Sequence, residues 1–434
     1  MIRKDNIREL FESASGGDVG VFARKMSHLM GLSDDKGRPY RSDAGHRELR
    51  NPRVNGRESQ RLKPSEFSFA HLGRGLMGDD LFEAYFAPDS DRLQGLQGRL
   101  RNLQEAGEGA VGPSAFANIN AFTGIASGLL EVAILEGWEN PDYIGEQLMP
   151  DEPSKQFEGR KTIGISRMGD QAEERLPGMP TKRAQIGQRW ITQPRTVENA
   201  LACELLQETV FLDLTGQAVA EANEVGDWLR YRNELRKINA FIGVTNTYTY
   251  MDTSYNTYQT ASTWDNDFSN ELNYYSDIQE AEIKFRDMTD PATSTRVKIT
   301  PNTMLVNREK LYTARMVLGA QTVVEGSATT STYTRRDAPN PVNNYKIIES
   351  PLVYERCTAS DGLNLSATNA GKYWWLFESG NRTIVYVTNW PLRVQQAAPG
   401  QLDMIDRGVV LYVKADERGI PMWKEPRRVV RNTN

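Results

Sequence analysis

Gln217-Ala-Val-Ala-Glu-Ala-Asn-Glu-Val-Gly-Asp-Trp-Leu-Arg-Tyr-Arg-Asn-Glu-Leu-Arg-Lys-Ile-Asn-Ala-Phe-Ile242 is the most regular stretch of the chain. Ala218, Ala222, Val225, Trp228, Tyr231, Leu235, Ile238 and Ile242 recur at three- and four-residue steps, which gathers them on one face of an α-helix. At 1.5 Å per residue the helix is a rod of roughly 39 Å. Glu221, Glu224 and Asp227 lie in its first half and Arg232, Arg236 and Lys237 near its end, complementing the helix dipole. The helix-compatible pattern begins at residue 196, and Gly216 splits it in two. The second piece is long enough to be the spine of a domain.

On its N-terminal side, residues 155–195 change character. Phe157, Ile163 and Ile165 fall on one face of a strand, and Ile186, Trp190 and Thr192 alternate on a second. Between them Leu176-Pro-Gly-Met-Pro180 marks a turn-rich tip, so the segment reads as a long hairpin. It carries nine basic and four acidic residues and no continuous apolar face. An isolated hairpin is marginal in water, so this one needs another surface for support, and a neighbouring copy of the chain is the simplest candidate.

Downstream, residues 245–275 are rich in Thr, Tyr and Asn, with Tyr248, Tyr250, Tyr255, Tyr258, Tyr274 and Tyr275. Such rings stack on sugars or bases in some proteins; contacts within an ordered loop or an interface are the plainer reading. A capped helix is expected over 276–288, a strand-like piece over 296–299 and a helix over 307–318. Strands are expected over 345–348, 372–377, 383–388 and 409–415. Helices and strands segregate without a regular alternation, which defines an α+β chain.

The first 110 residues differ. Short helical patterns at 6–12 and 21–30 precede a stretch, 36–63, with nine basic and three acidic side chains and almost no apolar content. Leu93, Leu96, Leu100 and Leu103 mark one more helix before the Gly-rich 106–113 linker. This region lacks a core of its own and reads as an arm or an assembly element that needs partners. Residues 114–150 form a helical lead-in, amphipathic over 125–135.

Composition narrows the function. The chain has 434 residues and a net charge of −5, with 52 basic and 57 acidic side chains, a balance unlike that of a DNA-coating protein. His28, His46 and His71 are the only histidines, so no Ser-His-Asp, Cys-His or histidine-ligated zinc site exists in the body of the chain. Cys203 and Cys357 stand far apart with no CxxC, which excludes a cysteine framework; they read as buried thiols, with one bridge between them left open. No signal core and no run of ~18 apolar residues is present, so the expectation is a soluble, cytoplasmically made protein without a membrane partner. Gly73-Arg-Gly-Leu-Met-Gly78 satisfies GxGxxG by letter only. Asp79 and Asp80 follow it and would repel a pyrophosphate, so a nucleotide site is rejected. No catalytic residue, metal site or cofactor is assigned.

The order of elements from 114 to 434 resembles the major capsid protein family of tailed bacteriophages. The features that carry the resemblance are the lead-in helix ending at an Asn-Pro-Asp turn, the basic hairpin, and Pro194-Arg-Thr-Val-Glu-Asn-Ala200 leading to the spine helix. Further along they are Pro301-Asn-Thr-Met-Leu-Val-Asn307 with its helix, Tyr345-Lys-Ile-Ile-Glu-Ser-Pro351, and Leu402-Asp-Met-Ile-Asp-Arg-Gly-Val-Val-Leu-Tyr-Val-Lys414.

The resemblance implies the tailed-phage coat-protein fold. Its parts would be an N-terminal extension or arm at 1–113, a lead-in at 114–154 and an E-loop hairpin at 155–195. A peripheral domain with the spine helix would follow at 196–290, an axial domain at 291–400 and a closing strand of the peripheral domain at 401–434. It implies a non-enzymatic shell protein of the virion, assembling with itself as hexamers and pentamers in the host cytoplasm around packaged double-stranded DNA, with portal, scaffold and prohead protease as partners. In relatives a protease removes an N-terminal extension. Leu103-Gln104-Glu105, Ile7-Arg8-Glu9 and Leu81-Phe82-Glu83 each fit a Leu/Ile-x-Glu cleavage pattern. Some relatives cross-link lysine to asparagine through the E-loop; Lys155, Lys161 and Lys182 sit in or beside the hairpin, with none of them matched to that role. The residues expected to meet acidic patches on neighbours are Arg160, Lys161, Arg167, Lys182, Arg183 and Arg189. An encapsulin-like compartment shell is the alternative within the same fold, and a carboxylate-based hydrolase using the aromatic loop is the alternative outside it.

Overall fold

The computed structural model describes residues 19–41, 48–54, 57–58, 60–77, 82, 114–139, 141–163, 174, 177, 190–213, 216–260, 264–289, 296–327, 334–340, 345–380, 382–397 and 407–433. In chain order the N-terminal region supplies α1 (Val19–Leu29), β1 (Arg53–Val54), β2 (Arg57–Glu58) and α2 (Phe69–Met77), followed by α3 (Ser114–Trp138), α4 (Gly145–Leu148) and β3 (Asp151–Pro153). Next come β4 (Lys161–Ile163), β5 (Trp190–Thr192), β6 (Val197–Leu206), α5 (Gln207–Leu212) and α6 (Gln217–Ile242). The chain continues through β7 (Thr249–Tyr250), β8 (Thr253–Ser254), β9 (Asp267–Ser269), α7 (Tyr275–Asp287), β10 (Thr303–Val306) and α8 (Arg308–Gly319). The rest is β11 (Thr322–Ser327), β12 (Thr334–Pro339), β13 (Lys346–Glu349), α9 (Pro351–Thr358), α10 (Ala367–Ala370), β14 (Trp374–Phe377), β15 (Ile384–Ala397), β16 (Val409–Trp423) and β17 (Val429–Thr433).

Two compact units share these elements. The first comprises residues 1–140, 198–232 and 390–418; the second comprises 141–197, 233–389 and 419–434. The units cut across the boundaries expected at 290 and 400, because α7 and the Tyr-rich segment share a core with β10, β14 and β17. Helix α6 gives residues 217–232 to the first unit and 233–242 to the second.

The core of the first unit is helical. From Phe122 to Leu135 the described side chains of α3 are buried almost without interruption, so over this stretch the helix offers no polar face to solvent. It packs with Ala218, Val219, Ala222 and Leu229 of α6 and with Leu392, Val410, Leu411 and Val413 of the long strands. Two glycines allow close approach: a Cβ on Gly226 would sit 2.0 Å from the Ile134 carbonyl oxygen, and one on Gly137 would sit 2.0 Å from that of Asn223. One carboxylate then fixes two helix starts. Asp213 accepts hydrogen bonds from the Gly216 and Gln217 amides at 2.8 and 3.0 Å and from the Phe69 amide at 3.2 Å. Gly216 makes the turn into α6 at φ +78°.

The N-terminal region contributes to this core. Phe22, Met26, Met30, Phe67, Phe69, Leu72, Leu76 and Phe82 are buried with Phe122, Ile125 and Leu129. The arm expected to need a neighbour therefore finds its partner in its own chain over the described residues. The helices expected at 6–12 and 90–103, the linker at 106–113, and the sequences Ile7-Arg8-Glu9 and Leu103-Gln104-Glu105 lie outside the described residues, as do Leu81 and Glu83 of the third cleavage-like sequence. Gly73 to Met77 is helical, and a Cβ on Gly73 would strike the Phe82 ring at 2.4 Å, so that glycine serves packing.

The core of the second unit is a five-stranded sheet in the order β13-β10-β14-β17-β9. Its middle strands, Thr303-Met-Leu-Val306 and Trp374-Trp-Leu-Phe377, are entirely buried, as expected for strands covered on both faces. A four-stranded sheet, β3-β15-β16-β6, carries the long strands.

Several expectations are corrected. Residues 197–206 form strand β6, not helix; the Ala/Leu/Glu composition favours helix, but edge pairing in the β3-β15-β16-β6 sheet prevails, with Asn199 and Glu198 held by Glu417 and Lys414. Trp228 is 60% exposed and meets Tyr231 edge-on at 5.6 Å, while Leu229 takes the buried position. Residues 296–299 form no strand, only a bridge from Thr289 to Arg296. Strand β16 runs on to Trp423, where periodicity suggested an end near Ala415. Cys203 is half-buried; Cys357 is buried, and both are free thiols.

The Gly226 contact gives a direct test. Gly226→Val should drive two γ-carbons into the α3 backbone and destabilise the protein by about 1–3 kcal/mol, read as a lower thermal midpoint, whereas Gly124→Ala, which has nothing within 4 Å, should not.

Candidate functional site

The base of the 155–195 hairpin is described, and four strands build it. Strands β4 and β5 pair antiparallel, with Lys161 opposite Thr192, Thr162 opposite Ile191 and Ile163 opposite Trp190. The sheet continues through β7 and β8, in the order β4-β5-β7-β8. On β5, Trp190 and Thr192 fall on one face, as the alternation predicts, and Ile191 on the other face is the buried residue. Ile163 is 92% exposed, and Phe157 is also open to solvent.

Two expected contact residues have partners inside the chain. Arg160 pairs with Glu152 at 3.0 Å, and Glu152 also holds Lys424. The Lys161 ammonium lies 4.3 Å from the centre of the Trp190 ring and 3.8 Å from the Asp252 carboxylate. Arg167, Lys182, Arg183 and Arg189 lie outside the described residues. Sequence reading missed Glu152 and Asp252. The available signal for Asp252 was Thr249-Tyr-Met-Asp-Thr-Ser254, two short alternating runs with a two-residue turn between them, disguised by the lack of glycine.

Below the sheet a polar net holds the hairpin root. The Ser154 hydroxyl donates to Gln193 at 3.1 Å, the Gln193 amide side chain donates to the Gln156 carbonyl at 3.0 Å, and Asn389 donates to the Ser154 and Gln156 carbonyls at 2.9 and 2.8 Å. Ser154 and Gln193 are buried, so each lost partner would strand a desolvated group.

The Tyr-rich segment is not an open stacking platform. Tyr248, Tyr258 and Trp264 are buried in the second core, with Tyr248 edge-on to Trp264 at 5.8 Å and Tyr258 edge-on to Trp423 at 6.3 Å. Burial raises the pKa of the Tyr248 and Tyr258 phenols. Among the described residues no group of three or more His, Cys, Asp or Glu side chains could hold a metal ion, and no helix is long and apolar enough to cross a membrane.

Large apolar side chains remain exposed on several elements: Ile163 at the hairpin base, Val197 and Leu201 on edge strand β6, Leu212 at the end of α5, and Tyr312 and Met316 one turn apart on α8. Exposed apolar side chains of this size mark surfaces suited to contact with other molecules.

A sequence profile of the phage capsid protein family matches residues 213–432, about half of the chain, and the chain belongs to that family. It is a capsid protein, a structural subunit of a phage shell, built as an α+β chain. Among solved structures it is similar to the capsid of cyanophage P-SCSP1u, at 12% identity over 67% of this chain and 88% of that one, with a TM-score of 0.41. It is similar to Gordonia phage Cozz at 9% identity, covering 68% and 88%, also with a TM-score of 0.41. A virus-like particle from Pyrococcus furiosus matches at 10% identity over 70% and 97%, with a TM-score of 0.36. No functionally curated protein matches the chain.

The two thiols give a chemical test of the packing. Burial pushes the Cys357 thiol up to about 12, and burial with Glu221 and Glu204 nearby raises that of Cys203. In a thiol-reagent titration at pH 8, Cys357 should stay unreacted until denaturant is added. Cys203 should react more slowly than a free cysteine.

Proposed function

We propose that the chain is the major capsid protein of a tailed phage or prophage. It assembles with itself as hexamers and pentamers into an icosahedral shell, in the bacterial host cytoplasm, around packaged double-stranded DNA. Portal, scaffold and prohead protease are its partners. The family match over 213–432 carries the reading, and the large apolar side chains left exposed support it.

The hairpin is the assembly arm in this reading. Its cations Arg167, Lys182, Arg183 and Arg189 meet acidic patches on neighbouring copies. Arg160 and Lys161 also belong to that basic set, but their charges are used first to hold the hairpin root to Glu152 and Asp252. Many weak contacts of this kind, repeated over a closed lattice, hold a shell that no single pair could hold.

The test is to replace Arg167, Lys182, Arg183 and Arg189 together by Glu, leaving Arg160 and Lys161 in place. The variant should remain soluble with an unchanged thermal midpoint and lose the fast-sedimenting particle fraction at least tenfold. Particle yield equal to wild type would contradict the assignment of the hairpin.

A further inference from the structure

We infer that residues 246–258 are a brace that fixes the direction of the hairpin, with Asp252 as its clamp; this rests on the hairpin being the inter-subunit arm. The segment has two ends with different jobs. At its root Tyr248 and Tyr258 are buried, and the Tyr258 hydroxyl donates to the Phe241 carbonyl at the end of α6. Asn246 accepts from the Tyr248 amide at 3.3 Å and from the Thr257 hydroxyl at 3.2 Å, closing the segment on itself. The Trp264 indole and the Asn266 amide side chain donate to the Thr257 carbonyl at 3.2 and 3.0 Å. That end cannot move without opening the core.

At its tip the segment reaches the hairpin. Tyr250 pairs with Ile191, and the Met251 amide donates to the Trp190 carbonyl at 3.0 Å. The turn that makes this reach possible is unusual: Met251 and Asp252 both take left-handed backbone angles, φ +48° and +62°, although neither is glycine. Of the two, aspartate is the residue type that tolerates this conformation better. The Asp252 carboxylate accepts from the Thr192 hydroxyl at 3.1 Å, is approached by the Trp190 indole N–H at 3.5 Å, and pairs with Lys161 at 3.8 Å. It therefore touches both strands of the hairpin base, β5 through Thr192 and Trp190 and β4 through Lys161. A two-stranded ribbon twists and bends easily, and adding two strands tied to a core stiffens it. A rigid base costs the arm less conformational entropy when it docks on a neighbour.

Asp252→Gly removes the carboxylate while relieving the left-handed backbone, so loss of the clamp is separated from backbone strain. Hydrogen exchange is measured on the unassembled full chain, and particle yield on the same preparation. Asp252→Gly should leave the thermal midpoint within about 2 °C of wild type. It should speed exchange of the 190–193 and 249–254 amides roughly fivefold, the effect of about one exposed hydrogen bond, and lower particle yield. Asp252→Asn keeps an acceptor for Thr192 and should recover most of the protection. Thr192→Val, which deletes the hydroxyl and keeps the branched shape, should reproduce part of the loss and serves if the glycine variant does not fold. Unchanged exchange in both Asp252→Gly and Thr192→Val overturns the brace. Faster exchange with wild-type particle yield shows a brace that assembly does not use, and so overturns its proposed role. The four-residue charge reversal tests the hairpin itself independently of the brace.

Discussion

One helix has to satisfy two hydrophobic cores, and the charged residues near its middle are the constraint on which the rest depends. Ala218, Ala222 and Leu229 of α6 are buried in the first core, and Ile238, Phe241 and Ile242 in the second. Between these apolar ends, Arg230, Asn233, Glu234 and Lys237 are all buried. The Glu234 carboxylate accepts from the Ile144 and Gly145 amides at 3.0 and 2.8 Å, at the start of α4. Lys237 lies 3.7 Å from Asp151 and 4.7 Å from the centre of the Tyr386 ring, and Arg230 lies 5.3 Å from that of Trp138. Lys237 is the fully buried member of its pair, and the Asp151 carboxylate beside it stays partly open to solvent, so the lysine depends on the pair more than the carboxylate does. Leucine in place of Lys237 would be easier to bury, yet would leave Asp151 at the first residue of β3 beside an apolar chain.

These pairs also fix where the hairpin begins. Asp151 and Glu152 are adjacent in β3; the first meets Lys237 of the spine helix and the second meets Arg160 and Lys424. The hairpin root is therefore tied to the helix through two neighbouring carboxylates. Two of its cations, Arg160 and Lys161, are thus engaged within the chain.

Much of this architecture was legible because it is written in periodicity. The 217–242 helix, its break at Gly216 and the α+β character follow from apolar spacing alone. The element order from 114 onward resembled a capsid subunit, and the family match covers 213–432. What was not legible depended on partners far away in sequence. Residues 197–206 have helical composition and become a strand because the β16 side of the sheet is there to pair with. Trp228 fits the apolar stripe and is exposed, because Leu229 fills the position against the first core. The clamp at Asp252 carries no local signal beyond a glycine-free turn, and its meaning comes from Thr192 and Lys161, many residues upstream. The N-terminal region was underestimated for the same reason. Phe22, Phe67 and Phe69 lie in separate short elements that share a core only once α3 is present.

Electron microscopy of the full-length chain, purified by sedimentation with intact mass recorded on the same sample, tests the central claim most directly. A shell protein with these exposed apolar faces should yield closed shells or capsomer rings. The region of 19–77 that fills the first core should be found in the particle, whether or not the chain is cut elsewhere. A stable monomer that never assembles, even when produced together with phage assembly partners, would contradict the account.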